Sequence, residues 1–476
     1  MTKQKYDVVV VGSGPNGFAA AIAMAQRGLS VVVIEGAETL GGGTRSAELT
    51  LPGFVHDVCS AIHPMGLISP FFKTLPLAEH GLKWITPPAA LAHPFDDLPA
   101  AIVENTLVAT AAGLGEDGPA YERLMAPLVR NADALFADLV GPFRIPRHPI
   151  AAVQFGWRAI QPSTWLCHRW FKTERAKALF AGSAGHSMLP LDKMATSAIG
   201  LMLLVAGHTV GWPFPEGGAQ AIGDALASHF KSLGGEIVLG QRVEDLKQLP
   251  ESKVVLLDLT TKQVLKLGED RFPAGYRHSL ESYRYGPGAF KIDWALDGPI
   301  PWNDPACGRA ATVHLGGTLA EIKRAEQAAW LAESPPPPPY LIVTQPSLFD
   351  PTRAPAGKHT AWAYAHVPNG STVDMLETIE TQMERFATGF RDRILARHVM
   401  SPGDFETYNP NYVGGDINGG AQDLWQIFTR PTIRLRPYRT AAKGLYICSS
   451  ATPPGGGVHG MCGYFAAQTA IGDFFR

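Results

Sequence analysis

Apolar residues come as short unbroken blocks near both ends of the chain and at helical spacing between them. Residues 8–11 are four consecutive valines, and residues 31–34 form a second apolar block. Blocks this short and continuous predict strands buried on both faces, as in a parallel sheet. The alanine-rich stretch between them predicts a helix, so the chain opens as strand, turn, helix and strand. Helical spacing over 222–233 stops at Gly234-Gly235. Extended pieces are predicted at 236–239 and 241–246, with further strands at 254–259 and 263–267, which return the chain to its opening sheet. Past about residue 285 the pattern changes. Residues 290–296 alternate apolar and polar, which predicts a strand buried on one face. Together with 311–315, 340–344 and 361–366 it predicts a second sheet, followed by a helix at 376–390. Residues 80–205, rich in Ala and Leu with aromatic clusters, are predicted mainly helical, as a cap or as core packing. Five consecutive prolines, 335–339, predict a stiff surface connector. A strand at 445–448 and a helix at 461–474 close the chain, and no internal repeat is present.

The chemistry sits in the turns between these elements. Gly12-Ser13-Gly14-Pro15-Asn16-Gly17 joins the first strand to the first helix, and Glu35 ends the second strand 21 residues after Gly14. That is the order of a dinucleotide-binding βαβ unit. Gly12 permits the tight turn, Gly14 lets a pyrophosphate approach the backbone, and Gly17 lets the helix pack close to the strand. The helix N-terminus faces the phosphates, and the Glu35 carboxylate binds a ribose hydroxyl. After Glu35-Gly36 comes Gly41-Gly42-Gly43-Thr44-Arg45, whose exposed backbone N–H groups suit a second contact with the same ligand. The closing strand runs into Ser449-Ser450 and then Pro454-Gly455-Gly456-Gly457-Val458-His459-Gly460 before the last helix. A glycine loop at a helix N-terminus is an anion site. Here it suits the charged edge of a reduced flavin ring.

Composition narrows the class. The 476 residues are 46% hydrophobic and 18% charged, with a net charge of −2, so the chain suits two or three globular domains and carries no charge that would draw it to nucleic acid. Five scattered cysteines without a CxxC pair suit neither a disulfide framework nor a zinc site, and point to a reducing, cytoplasmic setting. A polar start leads straight into the first strand without a secretory leader. The apolar run 199–206 is too short for a membrane span and reads as a buried helix or a wall of an apolar cavity.

The opening fingerprint, the Gly41-Gly42 pair and the Leu445-to-Gly460 segment together resemble the FAD-dependent phytoene desaturase and carotenoid isomerase group, in its phytoene dehydrogenase-like branch, which is related to the flavin amine oxidases. The likeness extends through Glu216 to Gln220, Gly286 to Trp302, His366 to Gly370 and Asn409 to Asp416. It implies an α/β fold in which a discontinuous Rossmann-like FAD domain (1–80, 210–280 and 432–476) carries a mixed-sheet and helical substrate domain (81–209 and 281–431). The FAD-contacting set would be Gly12, Ser13, Gly14, Pro15, Asn16, Gly17, Glu35, Gly36, Gly42, Gly43, Thr44, Arg45, Val243, Ser450, Gly457, Val458 and His459. Two departures stand out: Gly43 occupies the place where amine oxidases carry arginine, and Ser449-Ser450 replaces the usual Gly-Asp.

The activity so implied is hydride transfer from a lipophilic substrate to flavin. The alternatives are a flavin-dependent isomerase or saturase, or a flavoprotein that serves as a scaffold. A second strand-flanked GxGxxG for NADPH is missing from the sequence. The resemblance also implies a shallow peripheral contact with a membrane, and leaves the oligomeric state open. His459 is the catalytic candidate; His56, His63, Tyr464, Gln468, Asp416 and Asn418 are weaker ones. Nothing in the sequence marks Cys448 or Cys462 as an activated thiol for covalent flavin attachment.

Overall fold

The computed structural model describes residues 5–333 and 336–475. Its centre is the strand Lys5–Val11, whose Val8, Val9 and Val10 have no exposed surface. This strand pairs with Val31–Ile34 on one side and Glu251–Leu257 on the other. Glu236–Val238 and Leu445–Ile447 complete a five-stranded sheet in which every pairing is parallel. A parallel sheet needs cover on both faces. On one face the helix Pro15–Ala25 packs against Met461–Phe474 and Gln220–Ser232.

Gly463 makes the closest of these contacts: a Cβ there would stand 1.8 Å from the carbonyl oxygen of Asn16. Backbone lies on both sides, so neither helix can yield locally. Gly463→Ala is expected to cost about 3 kcal/mol, the upper end of ordinary overpacking. A lower urea midpoint at unchanged slope would record it.

A seven-stranded sheet forms the second layer. Its order is Ile394–Met400, Gly288–Leu296, His359–Val367, Leu341–Thr344, Ala310–Leu315, Ala89–His93 and Ala101–Glu104. All pairings are antiparallel except Ala310–Leu315 with Ala89–His93. Helices Glu174–Gly185 and Thr196–Thr209 pack beside it, and Gly118–Arg130 packs on Thr196–Thr209.

Several expectations need correction. The stretch from residue 80 is not helical at its start, because Ala89–His93 and Ala101–Glu104 are strands of the large sheet. Residues 263–267 belong to a helix, Thr261–Gly268. The Thr260 carbonyl accepts from both Gln263 and Val264 N–H and starts that helix directly after the strand, with Val264 buried and Lys262 exposed. Residues 241–246 form no strand; Gln241 N–H donates to the Glu35 carbonyl, and a short 3-10 turn follows at Leu246–Gln248. The helix at 376 ends at Phe386, ahead of Gly389 with φ +82°. In the proline run, Pro335 lies outside the described residues, and Pro336 and Pro338 are exposed ahead of Leu341–Thr344.

The correction with most bearing on function concerns Gly288–Leu296. Its alternation predicted one solvated face, yet all nine residues are buried. Phe290, Ile292, Trp294 and Leu296 enter an apolar core with Ala361, Ala363 and Ala365. Lys291 and Asp293 leave the other face, opposite Tyr364 and Trp362. On that face Trp362 and Tyr364 border the interior cavity described next, while Asp293 is covered by His56 and His398, each 3.5 Å away.

Candidate dinucleotide site and adjoining cavity

The carboxyl ends of the parallel strands converge on one spot: Gly12, Glu35, Asp258 and Ser449 each stand at or just beyond the end of one strand. Ligands of open α/β sheets bind at this edge. A cavity of about 500 Å³ opens there and continues between the sheets.

Gly12 has φ +104°, a conformation that glycine adopts without strain. A Cβ on Gly14 would stand 2.7 Å from Asp258 Oδ2, and one on Gly17 would stand 2.1 Å from the Gly12 carbonyl oxygen. The second glycine turn, Gly42–Thr44, backs onto the first, since a Cβ on Gly42 would come within 3.0 Å of Gly14 Cα. A Cβ on Gly43 would meet Tyr412 Oη at 2.6 Å. Glu35 is fixed between the turns. Its Oε2 accepts from Ser13 N–H at 2.8 Å and Ser13 Oγ at 2.6 Å, and its Oε1 accepts from Ala37 N–H at 2.9 Å. Arg45 lies 3.2 Å from Glu35 Oε1 and also donates to the Thr39 carbonyl.

Of the residues singled out from sequence, Gly12 to Asn16, Glu35, Gly36, Gly42, Gly43, Arg45, Val243, Ser450, Gly457 and Val458 line the cavity. Gly17 and Thr44 stand behind the lining. Gly17 N–H donates to Asp258 Oδ2 at 2.9 Å, and Thr44 Oγ1 donates to the Gly41 carbonyl. Asn16 Nδ2 reaches Ser450 Oγ at 3.4 Å, while Asn16 Oδ1 is buried without a hydrogen-bond partner. An orphaned buried oxygen at the mouth of a glycine cradle is what a site open to a polar ligand leaves behind.

His459 is placed differently from the sequence expectation. Its ring is buried beside Gly457, and Nδ1 accepts the N–H of Met461, the first residue of the last helix, at 3.0 Å. Its carbonyl accepts from Ser69 Oγ at 2.6 Å, and burial pushes the imidazole down to about 4. The ring therefore caps a helix, and the cavity lining contains Gly457 and Val458 without it. His459→Ala is expected to cost about 1 kcal/mol through the lost cap while turnover stays intact. Urea unfolding and steady-state rates on one preparation would separate the two effects.

The weaker candidates divide. His63 and Asn418 line the cavity. Asp416 is committed to its own loop, accepting from the N–H groups of Gly286, Asn418 and Gly420. His56 pairs with Thr50 and faces Asp293 at 3.5 Å, and Tyr464 stacks on Phe71. Gln468 is not part of the lining. Burial pushes the Cys462 thiol up to about 12 and the Cys448 thiol well above its usual value, so both stay protonated.

Two features escaped the sequence. Asp258 stands beneath the first glycine turn, where burial raises its carboxyl to about 7. The Gly17 N–H bond opposes that rise, and the Glu35 charge adds to it. Its signal was a single acid in the apolar run 254–259. The other is the buried pair Lys291 and Asp293, with Lys291 Nζ at 2.6 Å from each carboxylate oxygen. Lys291 also lies 5.6 Å from the ring of Trp362, which lines the cavity.

An all-parallel sheet, back-to-back glycine turns and a fixed acid at the second strand end define a Rossmann-like dinucleotide-binding enzyme of the oxidoreductase class. The comparisons agree. The model of the NAD(P)-binding Rossmann-like domain matches residues 10–75. Across nearly its whole length the chain is similar to rat (Rattus norvegicus) pyridine nucleotide-disulfide oxidoreductase domain-containing protein 2, at 26% identity covering 99% of this chain and 94% of the relative. It is 25% identical to a neurosporene-forming phytoene desaturase of Rhodobacter capsulatus, over 52% of this chain and 51% of that one. Among solved structures it shares its fold with an oxidoreductase from Methanosarcina mazei (TM-score 0.67, 16% identity, 98% of this chain and 100% of that one). A variant of putrescine oxidase also shares it (TM-score 0.64, 17% identity, 98% of both chains).

Proposed function

We propose that the chain is an FAD-dependent oxidoreductase that removes hydride from a lipophilic substrate. The observation that carries this reading is the continuity of one cavity, from the glycine turns past Gly457 and Val458 to a wall of Leu203, Trp212, Ile342 and Trp362. A dinucleotide-sized cradle and a largely aromatic chamber thus share one space. When bound, FAD would supply the hydride acceptor. The two glycine turns and the orphaned Asn16 Oδ1 would hold its polar half, and a ligand hydroxyl would compete with Ser13 Oγ for Glu35. The aromatic wall would orient the substrate and exclude water. With FAD bound, the substrate would lose two electrons and one proton to it as hydride and a second proton to solvent, and dioxygen or a quinone would be the final acceptor of the two electrons and two protons. The names of the phytoene desaturase and putrescine oxidase relatives support an oxidative reading.

The absorbance spectrum of the purified protein tests the cofactor. A yellow protein whose flavin bleaches anaerobically with substrate is expected; a colourless protein that FAD cannot reconstitute would sink the reading. Turnover only after prior reduction would favour an isomerase. Among the described residues, no helix is long and apolar enough to cross a membrane. Peripheral contact is supported by Phe143 and Ile145, 84% and 92% exposed beside Arg144 and Arg147. Co-sedimentation with anionic vesicles, lost in Phe143→Ser, is the expected result.

A further inference from the structure

The sheet wall of the cavity is only partly greasy. Trp362, Tyr364 and His366 alternate along His359–Val367, so all three side chains leave the same face. The register carries that face across neighbouring strands, with Tyr364 opposite Ile342 and Ile342 opposite His314. His186, at the end of Glu174–Gly185, meets His314 Nε2 to Nε2 at 2.9 Å, which requires one ring to donate and the other to accept. His366 Nδ1 is bound to both oxygens of Glu326 at 2.8 and 2.9 Å. These groups fix one another in place. Four polar atoms of cavity-lining side chains on this wall are left over. Tyr364 Oη, His186 Nδ1 and Thr312 Oγ1 form no hydrogen bond among the described residues, and Trp362 Nε1 is buried without a partner.

We infer that the substrate carries a neutral oxygen function, a carbonyl or a hydroxyl, on a lipophilic frame, and that Tyr364, His186 and Thr312 hold this oxygen at the sheet wall. The inference rests on the cavity being the substrate chamber. Buried polar groups are paired in folded proteins almost without exception, so a wall that holds a buried, unpartnered Trp362 Nε1 beside three further uncommitted polar atoms facing the cavity is open to completion by a ligand. A bare hydrocarbon would leave all three unpaired. An ammonium group would find no free carboxylate there, because Asp293 is matched by Lys291 and Glu326 by His366. A carboxylate ligand would find no free cation, since the Lys291 charge is already matched. A neutral oxygen can accept from Tyr364 and Thr312 and, as a hydroxyl, can donate to a neutral imidazole.

The test uses the protein as purified, with Trp212 and Trp362 of the cavity as the fluorescent reporters. Nonan-2-one, nonane and nonylamine serve as probes. The ketone is expected to bind roughly tenfold more tightly than either of the others. Tyr364→Phe, which keeps the ring and removes the hydroxyl, is expected to abolish most of that preference without weakening nonane. Thr312→Val makes the same test should the tyrosine variant not fold. Equal binding of the three probes, no binding of the ketone, or an unchanged preference in both variants would overturn the inference. The flavin reading fails separately: a colourless protein that still prefers the ketone refutes the cofactor and leaves the oxygen site standing.

Discussion

Lys291→Met is expected to destabilise the protein by about 3–5 kcal/mol, more than any other single change at the site. Both residues of the Lys291 and Asp293 pair are almost wholly buried, and the ammonium touches both carboxylate oxygens. Removing the lysine leaves a carboxylate under the sheet, flanked only by His56 and His398 at 3.5 Å. Burial alone would raise the Asp293 carboxyl; the charge of Lys291 holds it below its usual range. Asp293 accordingly contributes stability that is present above the usual carboxylate value and lost as pH falls through its lowered value. The single variant should behave in reverse, gaining stability on acidification as Asp293 takes up a proton. A double variant, Lys291→Met with Asp293→Leu, removes both charges and is expected to recover most of the loss. Urea midpoints of the four species form a complete cycle. Additive losses in the double variant would show that the pair is not the unit described.

The second large effect is a pH dependence centred on Asp258. Its carboxyl rises from 3.8 to about 7 because it is buried beneath the glycine turn, with Glu35 nearby. The folded protein therefore holds this proton more tightly than the unfolded chain does. The stability it contributes is complete below pH 4, declines as pH rises, and is gone above about 7. The rise corresponds to at most about 4 kcal/mol. Asp258→Asn keeps an acceptor for Gly17 N–H and cannot ionise, so it is expected to flatten the decline between about pH 4 and 7. On the proposed FAD reading, retention of the cofactor should follow the same course, since an ionised Asp258 would add negative charge beneath the first glycine turn. Midpoints and released cofactor measured at successive pH values would check both. A slope identical in the two proteins would refute the assignment.

The part of the site that was legible from sequence is the part fixed by local sterics. Gly12, Gly14 and Gly17 announce themselves because each answers a backbone requirement within a few residues, and Glu35 follows at a set spacing. The convergence of the chain's two ends was legible for the same reason, since 455–460 repeats the strand, glycine loop and helix pattern. What was not legible depends on what lies opposite. The alternation of Phe290-Lys291-Ile292-Asp293-Trp294 is identical whether the polar face meets water or protein, and here Lys291 and Asp293 meet each other and the buried His56. Asp258 read as one more residue of a strand, because its significance comes from Gly14 and Gly17, about 240 residues earlier. Residues 263–267 misled because a short apolar run carries too few positions to separate a period of two from one near four. His459 shows another limit: a histidine in a glycine loop suggests chemistry, and only the three-dimensional path shows its Nδ1 turned to the Met461 amide.

The way the parallel sheet is assembled also has a bearing on how the protein is made. Its central strand lies more than 400 residues ahead of Leu445–Ile447 and of the helix Met461–Phe474 that packs on Pro15–Ala25. During translation the apolar faces of Phe18 and Ile22 wait without their final cover while more than 400 residues are added. The nascent chain thus has an extended interval in which a chaperone is the natural substitute for that late segment.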